Sequence, residues 1–541
     1  MESPRSLISG WRGAALAALI AVSCALPGLI VLPTVDRNEA VFAQASAQML
    51  DEHNPTDIRF QDYLRRGSMP AAHWLQAASV AATSHAEARK IWAYRLPSLL
   101  GLALLVAATV SGGGRLFGER AGFLSGVLLG TSILGLSLAN LATAEALFAA
   151  AAAVMLSAFA HLYAAHREGG RLRKRDKLLF WIGLIAAFLV KGPIILALSG
   201  LTGLCLIAMD RHVSWLGSLG WSWGLIALAA MAGPWLVAVT VSTDGQFWQG
   251  AEAFVIRGSG IGFQTLVAPA LLFPGVFLLP FAAAFAFRRR ETAGVRLAVA
   301  WLVPAWIALE CLPGFQLHGA AALYIALAWL GAAGLTGEAN GAIVRVLGGA
   351  ISIATGALIA CVSLWLVWRF DDLNAGWLGA GIAAALAVSA GLAGAAAAWR
   401  PTALRRSLRA AGLGVAASIA LLVVVLPGLD RLWPTQNLLH GLSAAGVDPR
   451  GGLARGPVAA AGYAEPSLVF HLGAETQLGD AQTAADAILD SRPAIVSNDQ
   501  LAAVSRILSQ HGLAARTVYR FEGYDPAEAE PVNLSILSRA P

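Results

Sequence analysis

The sequence has little charge and few cysteines. Asp, Glu, Lys and Arg make up 13% of the 541 residues, whereas hydrophobic residues make up 57%. Because soluble domains carry roughly 25% charged residues, this balance excludes an ordinary soluble enzyme and indicates a membrane protein. The four cysteines (Cys24, Cys205, Cys311 and Cys361) stand in or next to apolar runs and form no CxxC pair. A disulfide framework or a cysteine metal site is therefore not expected.

Long apolar windows follow one another along most of the chain. About thirteen of them are long enough to cross a bilayer, which takes roughly twenty residues each. We interpret the first window as an uncleaved helix, because no clear cleavage site follows it. The windows are centred near Ala21, Leu104, Leu129, Val154, Ile185, Leu201, Ala229, Phe277, Trp301, Leu327, Leu358, Ala385 and Leu421. The sequence predicts an all-α polytopic membrane protein with about thirteen transmembrane helices.

Short basic runs between the windows predict the orientation. They precede the first window and follow the fourth, eighth and twelfth, at 166–177, 288–290 and 400–409. All lie on one side if the count of spans holds, and the positive-inside rule assigns that side to the cytoplasm. The N-terminus is then cytoplasmic. These runs account for the net charge of +6, so no nucleic-acid partner is predicted.

Two regions outside the windows carry structure of their own. The first loop, residues 33–94, contains two stretches (EAVFAQASAQML and MPAAHWLQAASVAA) that read as amphipathic helices in the membrane interface. After residue 429, short apolar runs such as VAAAGY and SLVFHLG alternate with helical stretches. We therefore predict a transmembrane domain at 1–429 and a small extracytoplasmic α/β domain at 430–541.

Polar side chains at the ends of the windows are the candidate site residues, because burying charge in lipid is costly. Carboxylates and cations gathered at one membrane face can bind an anionic headgroup and activate a nucleophile. The residues predicted to reach the extracytoplasmic face are Asp36, Asn38, Glu39, Arg95, Glu145, Lys191, Glu310 and His318.

Several blocks occur in a fixed order along most of the chain. They are VDRNEAVFAQASAQML, DIRFQDYLRRGSMPAAHWLQAASV, IWAYRLPSLLG, ATAEALFAA, LVKGPI, PWLVAVT, WLVPAWIALECLPGFQLH and AEPSLVFHLG. No single block is specific, but their succession resembles the GT-C glycosyltransferases of the protein O-mannosyltransferase and aminoarabinose (lipid A) transferase kind.

The resemblance implies transfer of a sugar from a polyprenyl-phosphate donor to a lipid, glycan or protein acceptor of the envelope, at the outer face of the bacterial inner membrane. In such enzymes a carboxylate deprotonates the acceptor and basic residues neutralise the departing lipid phosphate. The matching carboxylates here are Asp36, Glu39 and Glu145. The matching cations are Arg65, Arg66, Arg95 and Lys191. Further site candidates are Asn38, Glu310 and His318.

The chain departs from the family pattern at several of these positions. The family has adjacent Asp and Glu in its first motif, and the Asp position here is Asn38, whose amide cannot accept a proton. The Pro-Pro-Gly stretch before the eighth span is missing. Other replacements are Ser68-Met69 for Lys-Pro, Glu145 for Asp, Phe315 for Lys and Gly319 for Tyr.

Three functions stay open on the sequence. They are an active glycosyltransferase with a rearranged site, a catalytically silent relative that binds polyprenyl-phosphate lipid or partners an active transferase, and a transporter or channel. A transporter would carry charges near the middle of its spans, so charges clustered at one face argue against it. No metal or cofactor is required by the motifs, although Asp36 and Glu145 could hold a divalent cation.

Overall fold

The structure is a computed structural model that describes residues 8–35, 37–254, 260–312, 318–337, 340–371, 376–399 and 404–540. Two residues named above, Asp36 and Phe315, lie outside the described residues.

The chain before residue 430 is almost entirely helical, as expected from its apolar composition. Its helices are α1 (Gly10–Val31), α2 (Asn38–Asp51), α3 (Ala71–Thr83), α4 (Ile91–Phe117), α5 (Glu119–Gly130), α6 (Ile133–Ala139), α7 (Ala144–Arg167), α8 (Lys174–Lys191), α9 (Ile194–Asp210), α10 (Trp221–Ser242), α11 (Phe263–Leu272), α12 (Leu278–Arg288), α13 (Ala293–Cys311), α14 (Tyr324–Thr336), α15 (Ala342–Phe370), α16 (Trp377–Trp399) and α17 (Leu404–Ile419).

The protein is a multi-pass membrane protein. Within the described ranges, eight helical segments are long and apolar enough to cross a bilayer: α1, α4, α7, α10, α13, α15, α16 and Leu404–Gly428, which begins with α17. The pair α5–α6, bent by 60°, is a ninth candidate. The predicted number of thirteen is not confirmed. The other predicted centres fall in short helices such as α9 and α14, or in α8, which begins and ends with charged residues.

Small residues let the helices of the bundle approach closely, as is usual between membrane helices. Gly122 on α5 faces α4, and a Cβ atom there would run into the backbone of Val110 and Gly114. On the same helix α4, the carbonyl oxygen of Thr109 accepts a hydrogen bond from the buried Trp329 indole at 2.7 Å. The bundle is thus a closely packed scaffold for the groups at its ends.

The first loop contains the two helices predicted for it. They are α2 and α3, joined through a short hairpin of β1 (Arg59–Phe60) and β2 (Tyr63–Leu64). Helix α2 does not lie open in a membrane interface, since most of its residues are buried. It packs against α3 on one side and against the C-terminal region on another.

The C-terminal region is a five-stranded sheet with helices on both faces. Its elements are α18 (Pro434–Ala444), β3 (Ala459–Ala461), α19 (Pro466–Leu472), β4 (Gln477–Gly479), α20 (Ala481–Leu489), β5 (Ala494–Ser497), α21 (Leu501–Gln510), β6 (Ala515–Asp525) and β7 (Glu530–Arg539). The strand order is β4-β3-β5-β7-β6, with β4, β3 and β5 parallel and the other pairs antiparallel. Alternate residues of each strand face opposite helix layers, as the pleat requires.

One of the short apolar runs predicted to alternate with helical stretches in this region is itself a helix. SLVFHLG forms α19, because Pro466 occupies the first helical position, where its ring favours a helix start. Helix α19 joins the sheet domain to the bundle, since Phe470 packs with Ala43 and Ala47 of α2 and edge-to-face with Tyr94. We call the end of the bundle that carries this domain the domain face, and the other end the opposite face.

Candidate active site at the domain face

Glu39 and Arg95 form a buried ion pair at the domain face. The Nε and Nη2 groups of Arg95 donate to the two carboxylate oxygens of Glu39, both at 2.7 Å, and the two side chains are 1% and 0% exposed. Glu39 lies in the first turn of α2 and Arg95 in the first turns of α4. Two-pronged pairing of this kind is the strongest form of a carboxylate–guanidinium contact.

The remaining bonding capacity of this pair is used by the backbone. Glu39 also accepts from the backbone N–H groups of Val35 and Ala142, at 2.9 and 2.7 Å. Arg95 donates to the carbonyl oxygens of Leu32 and Pro33, both at 2.7 Å, and to that of Leu29 at 3.3 Å. Arg95 thereby satisfies carbonyls left unpaired at the end of α1. This geometry favours a structural role for both residues.

Glu145 and Lys191 form a second ion pair at the same face, and it is open to solvent. Lys191 Nζ lies 2.6 Å from each carboxylate oxygen of Glu145. The Lys191 and Glu145 side chains are 18% and 24% exposed. Lys191 also lies over the ring of Phe148, 5.5 Å from its centroid. A carboxylate and an ammonium group are therefore available here to an incoming ligand.

His318 lies close enough to the Glu145–Lys191 pair to interact electrostatically with both charges. Its Nε2 is 2.9 Å from the hydroxyl of Ser137. Burial lowers the pKa of His318 from its usual value; the Glu145 carboxylate opposes this change and the Lys191 ammonium adds to it. His318 is therefore a neutral hydrogen-bonding group at neutral pH. The structure thus brings three of the predicted site residues, Glu145, Lys191 and His318, into one neighbourhood.

Arg65 belongs to a polar cluster between the first-loop helices. Its guanidinium lies 4.4 Å from the centroid of the Phe42 ring, and this ring also stacks in parallel on His73, with 4.8 Å between the ring centroids. Ser46 Oγ lies 2.9 Å from His73 Nδ1 and 2.6 Å from Gln76 Oε1. Arg65 Nη1 has no hydrogen-bond partner in the part of the chain that the structure describes.

This environment shifts the ionisation of both basic groups. Burial lowers the pKa of Arg65 to about 10. Burial, and then the charge of Arg65, hold the pKa of His73 well below its usual range. Arg65 remains charged at neutral pH, whereas His73 is neutral. Arg65 is therefore the one charged group in the cluster of Phe42, Ser46, Arg65, His73 and Gln76, which contains no carboxylate.

The other candidates are spread around the site. Arg66 is exposed beside Arg65, and Asn38 is exposed at the start of α2. Glu310, at the end of α13, accepts from the backbone N–H and the hydroxyl of Thr265 on α11, at 2.8 and 2.7 Å. Asp36 stays a sequence prediction, since it lies outside the described residues.

Sequence reasoning missed several residues that shape the site. Ser137 and the Phe42–Ser46–His73–Gln76 group carry no charge at neutral pH, so a search for ionisable residues in spans passes over them. One signal was available: Phe42 and Ser46 are four residues apart on α2, and His73 and Gln76 are three apart on α3. Such spacings place side chains on one helix face.

A metal site is not apparent in the described residues. Within those ranges, no three His, Cys, Asp or Glu side chains are grouped so as to hold a metal ion. The divalent cation suggested for Asp36 and Glu145 includes a residue outside these ranges, so it stays a prediction.

The helical bundle with its first-loop helices and a small sheet domain at one face is a fold that also occurs in solved structures. Among solved structures with this fold is ArnT from Cupriavidus metallidurans. The apo structure superposes with a TM-score of 0.74 at 17% identity, covering 96% of this chain and 97% of that chain. The structure bound to undecaprenyl phosphate superposes with a TM-score of 0.73 at 16% identity, covering 97% of this chain and 98% of that chain.

No protein-family model matches the chain, and no curated protein matches it by sequence. At identities of 16% and 17% the likeness to ArnT is one of fold. It confirms the predicted architecture over nearly the whole length of the chain.

Proposed function

We propose that this protein is a membrane glycosyltransferase that takes a sugar from a polyprenyl-phosphate donor at the domain face. The observation that carries the proposal is the partly exposed Glu145–Lys191 pair, with the neutral His318 beside it, on a fold shared with a structure bound to undecaprenyl phosphate. A carboxylate and a cation side by side are the two groups that glycosyl transfer to a hydroxyl needs.

In the proposed reaction the acceptor hydroxyl oxygen attacks the anomeric carbon of the sugar. The bond from that carbon to the donor phosphate breaks, and its electron pair leaves with the phosphate. The hydroxyl proton passes to a carboxylate, either Asp36 or Glu145. Lys191, Arg65 and Arg66 neutralise the departing polyprenyl phosphate. Glu39 and Arg95 act as positioning residues in this scheme, because their hydrogen bonds are already committed to each other and to the backbone.

The finer points of the proposal extend the sequence predictions. The acceptor is a lipid, glycan or protein of the envelope, the membrane is the bacterial inner membrane, and the domain face is its outer side. The division of the chain near residue 429 follows from the same scheme, with the sheet domain covering the site from outside the membrane.

The test is donor turnover by the purified protein in nanodiscs, with a panel of radiolabelled polyprenyl-phosphate sugars and crude envelope acceptors. We expect transfer by the wild type and its loss in Asp36→Ala or Glu145→Gln. Silence of the wild type with transfer by Asn38→Asp, alone or with Ser68→Lys, would contradict the proposal. That result would instead indicate a fold kept for binding polyprenyl-phosphate lipid or an active transferase.

A further inference from the structure

An apolar cavity of about 360 Å³ lies in the bundle, and Glu145, Lys191 and His318 are not among its lining residues. Side chains of α7, α8, α9, α10 and α13 contribute to its walls, together with the short helical segment Ser214–Leu219. Its aromatic lining consists of Phe159, Phe180, Trp181, Trp215, Trp221 and Trp301. Its lining also includes the small residues Gly200 and Gly203, and its surface is nearly free of polar atoms.

The cavity extends along α9 from Leu196 to Ile207 and reaches the opposite face of the bundle at the segment Ser214–Leu219. Helix α7 runs without a break from Ala144 to Arg167. At 1.5 Å per residue, its Arg167 end lies roughly 33 Å from Glu145. The segment Ser214–Leu219 is attached to that far end, because His166 Nε2 lies 3.1 Å from Ser214 Oγ. On α7 the lining residues of the cavity are Met155 and Phe159, so they lie between Glu145 and the Arg167 end, and none of the groups proposed for glycosyl transfer is part of the lining.

One tryptophan of the lining has an unused hydrogen-bond donor. Trp181 donates its indole N–H to the carbonyl of Leu219 at 2.8 Å, and Trp301 donates to that of Ala322 at 2.9 Å. Trp215 is 1% exposed, and its Nε1–H meets no acceptor in the described ranges. Buried indole N–H groups normally find a partner, and leaving one without costs free energy. Trp215, which lines the cavity, thus has a donor that an acceptor from outside the chain can use.

Basic and hydroxyl groups stand directly beside Trp215. Ser214 Oγ is 3.1 Å from both His166 Nε2 and His212 Nδ1, and Ser214, His212 and Arg211 are exposed. The nearest carboxylate in sequence, Asp210, is already paired with Arg167 at 2.8 Å and with Arg296 at 2.6 Å. This group of side chains, which adjoins the lining residue Trp215 through Ser214, is therefore suited to an anion.

We infer that this cavity binds an anionic glycerophospholipid from the leaflet at the opposite face. One acyl chain fills the aromatic cavity, an ester carbonyl accepts the Trp215 N–H, and the phosphate lies against Ser214, His166 and Arg211. Phosphate and ester are neighbours in such a lipid, as Ser214 and Trp215 are in the chain, where adjacent Cα atoms are 3.8 Å apart. The acyl chain of the lipid thus matches the apolar cavity, its ester carbonyl matches the Trp215 N–H, and its phosphate matches the polar and basic groups around Ser214.

The glycines of the lining allow a clean test. Gly200 is a lining residue of the cavity, and a Cβ atom there would meet no other atom within 4 Å, so Gly200→Leu adds a side chain at the cavity wall without a clash at Cβ. Gly233 on α10 has equally open surroundings and is not part of the lining, so Gly233→Leu is the matched control. Trp215→Phe removes the N–H and keeps an aromatic ring.

The experiment is native mass spectrometry of the detergent-purified protein titrated with phosphatidylglycerol or phosphatidylethanolamine. We expect one tightly held phosphatidylglycerol on the wild type and on Gly233→Leu, and its loss in Gly200→Leu. Trp215→Phe should weaken binding roughly two- to tenfold, the effect of one hydrogen bond. Equal binding by wild type, Gly200→Leu and Trp215→Phe would overturn the inference, as would equal affinity for both lipids. If Gly200→Leu does not fold, the Trp215→Phe titration decides. These measurements record lipid binding alone, so they do not depend on glycosyl transfer.

Discussion

The domain face carries two carboxylate–cation pairs that differ in how fully they are hydrogen-bonded. Glu39 and Arg95 are almost completely buried, and the Glu39 carboxylate accepts four hydrogen bonds from Arg95, Val35 and Ala142. Glu145 and Lys191 contact each other and remain partly exposed. The two pairs therefore carry the same formal charges but differ in how accessible those charges are to a ligand. The first pair ties α1, α2 and α4 together, whereas the second can exchange its partner for a substrate.

Neutralising either member of the partly exposed Glu145–Lys191 pair should have the largest effect on activity. Glu145→Gln or Lys191→Met is expected to lower the rate of sugar transfer by about a hundred- to ten-thousandfold, the usual effect of losing a proton-transfer or charge-stabilising group. The free energy of unfolding should change by less than about 1 kcal/mol, since partly exposed pairs contribute little. Transfer assays and thermal unfolding of the same preparations measure both.

The matched control for these variants is the pair at the opposite face. Arg115 and Glu168 form an ion pair at 2.5 Å that is also partly exposed. Glu168→Gln should leave transfer unchanged. A similar loss of transfer in Glu168→Gln and Glu145→Gln would remove the distinction between the two faces.

Breaking the buried Glu39–Arg95 pair should instead lower the free energy of unfolding of the protein. Glu39→Ala leaves Arg95 buried without its anion, which typically costs about 3–5 kcal/mol. We expect a lower melting temperature and a smaller monodisperse fraction in size-exclusion chromatography. A Glu39→Ala protein that unfolds like the wild type but no longer transfers sugar would show that Glu39 belongs with Glu145 as a catalytic carboxylate.

The contact between the sheet domain and the end of α1 should depend on pH. Burial, and then the charges of Arg450 and Arg89, lower the pKa of His471 to about 4, while its Nε2 lies 3.0 Å from Thr34 Oγ1. The imidazole of His471 binds a proton more tightly in the unfolded chain than in the folded one. The contribution of neutral His471 to the free energy of unfolding is therefore complete above about pH 6.5 and is lost as the pH falls toward 4. The loss amounts to about 3 kcal/mol.

Thermal unfolding between pH 4 and pH 7 measures this dependence. His471→Gln should flatten the curve in that range, whereas the exposed His511 gives a control variant, His511→Gln, that should leave it unchanged. An unaltered slope in His471→Gln would assign the pH dependence to other groups.

A comparison of two arginines gives the smallest expected change. Arg95 uses all its N–H groups, whereas Arg65 lies over Phe42 and its Nη1 is unpaired within the described residues. Arg65→Met should therefore alter the free energy of unfolding by only about 1 kcal/mol, close to the value of a cation–π contact. If Arg65 binds the donor phosphate, KM for the donor should rise at the same time. A destabilisation as large as that of Arg95→Met would show that Arg65 is structural as well.

The architecture could be predicted from sequence because hydropathy reports each apolar helix separately. Every predicted span centre lies in a helical segment, and the first-loop helices and the sheet domain are present. The count of spans was less secure, because α5–α6 is bent and α9 and α14 are short, which an apolar window does not reveal.

The site was harder to predict because charge in a sequence carries no information about hydrogen-bond partners. Glu39 and Glu145 look alike as letters, and only the fold brings the Ala142 N–H and the α1 carbonyls to the first pair. Uncharged members such as Ser137 and His73 become relevant only when distant helices meet. Residue type therefore indicated the chemistry, and tertiary contacts decided which residues are free to perform it.

The contacts between the first loop and the sheet domain join positions very far apart in the chain. Thr34 and His471 are separated by 437 residues, and Gln61 and Ala474 by 413. At roughly 5 to 20 residues per second of synthesis, α19 leaves the ribosome roughly 20 to 90 seconds after the end of α1. Throughout that time the Ala43–Ala47 face of α2 has no Phe470 to cover it. The first loop is thus made well before the residues that complete its packing.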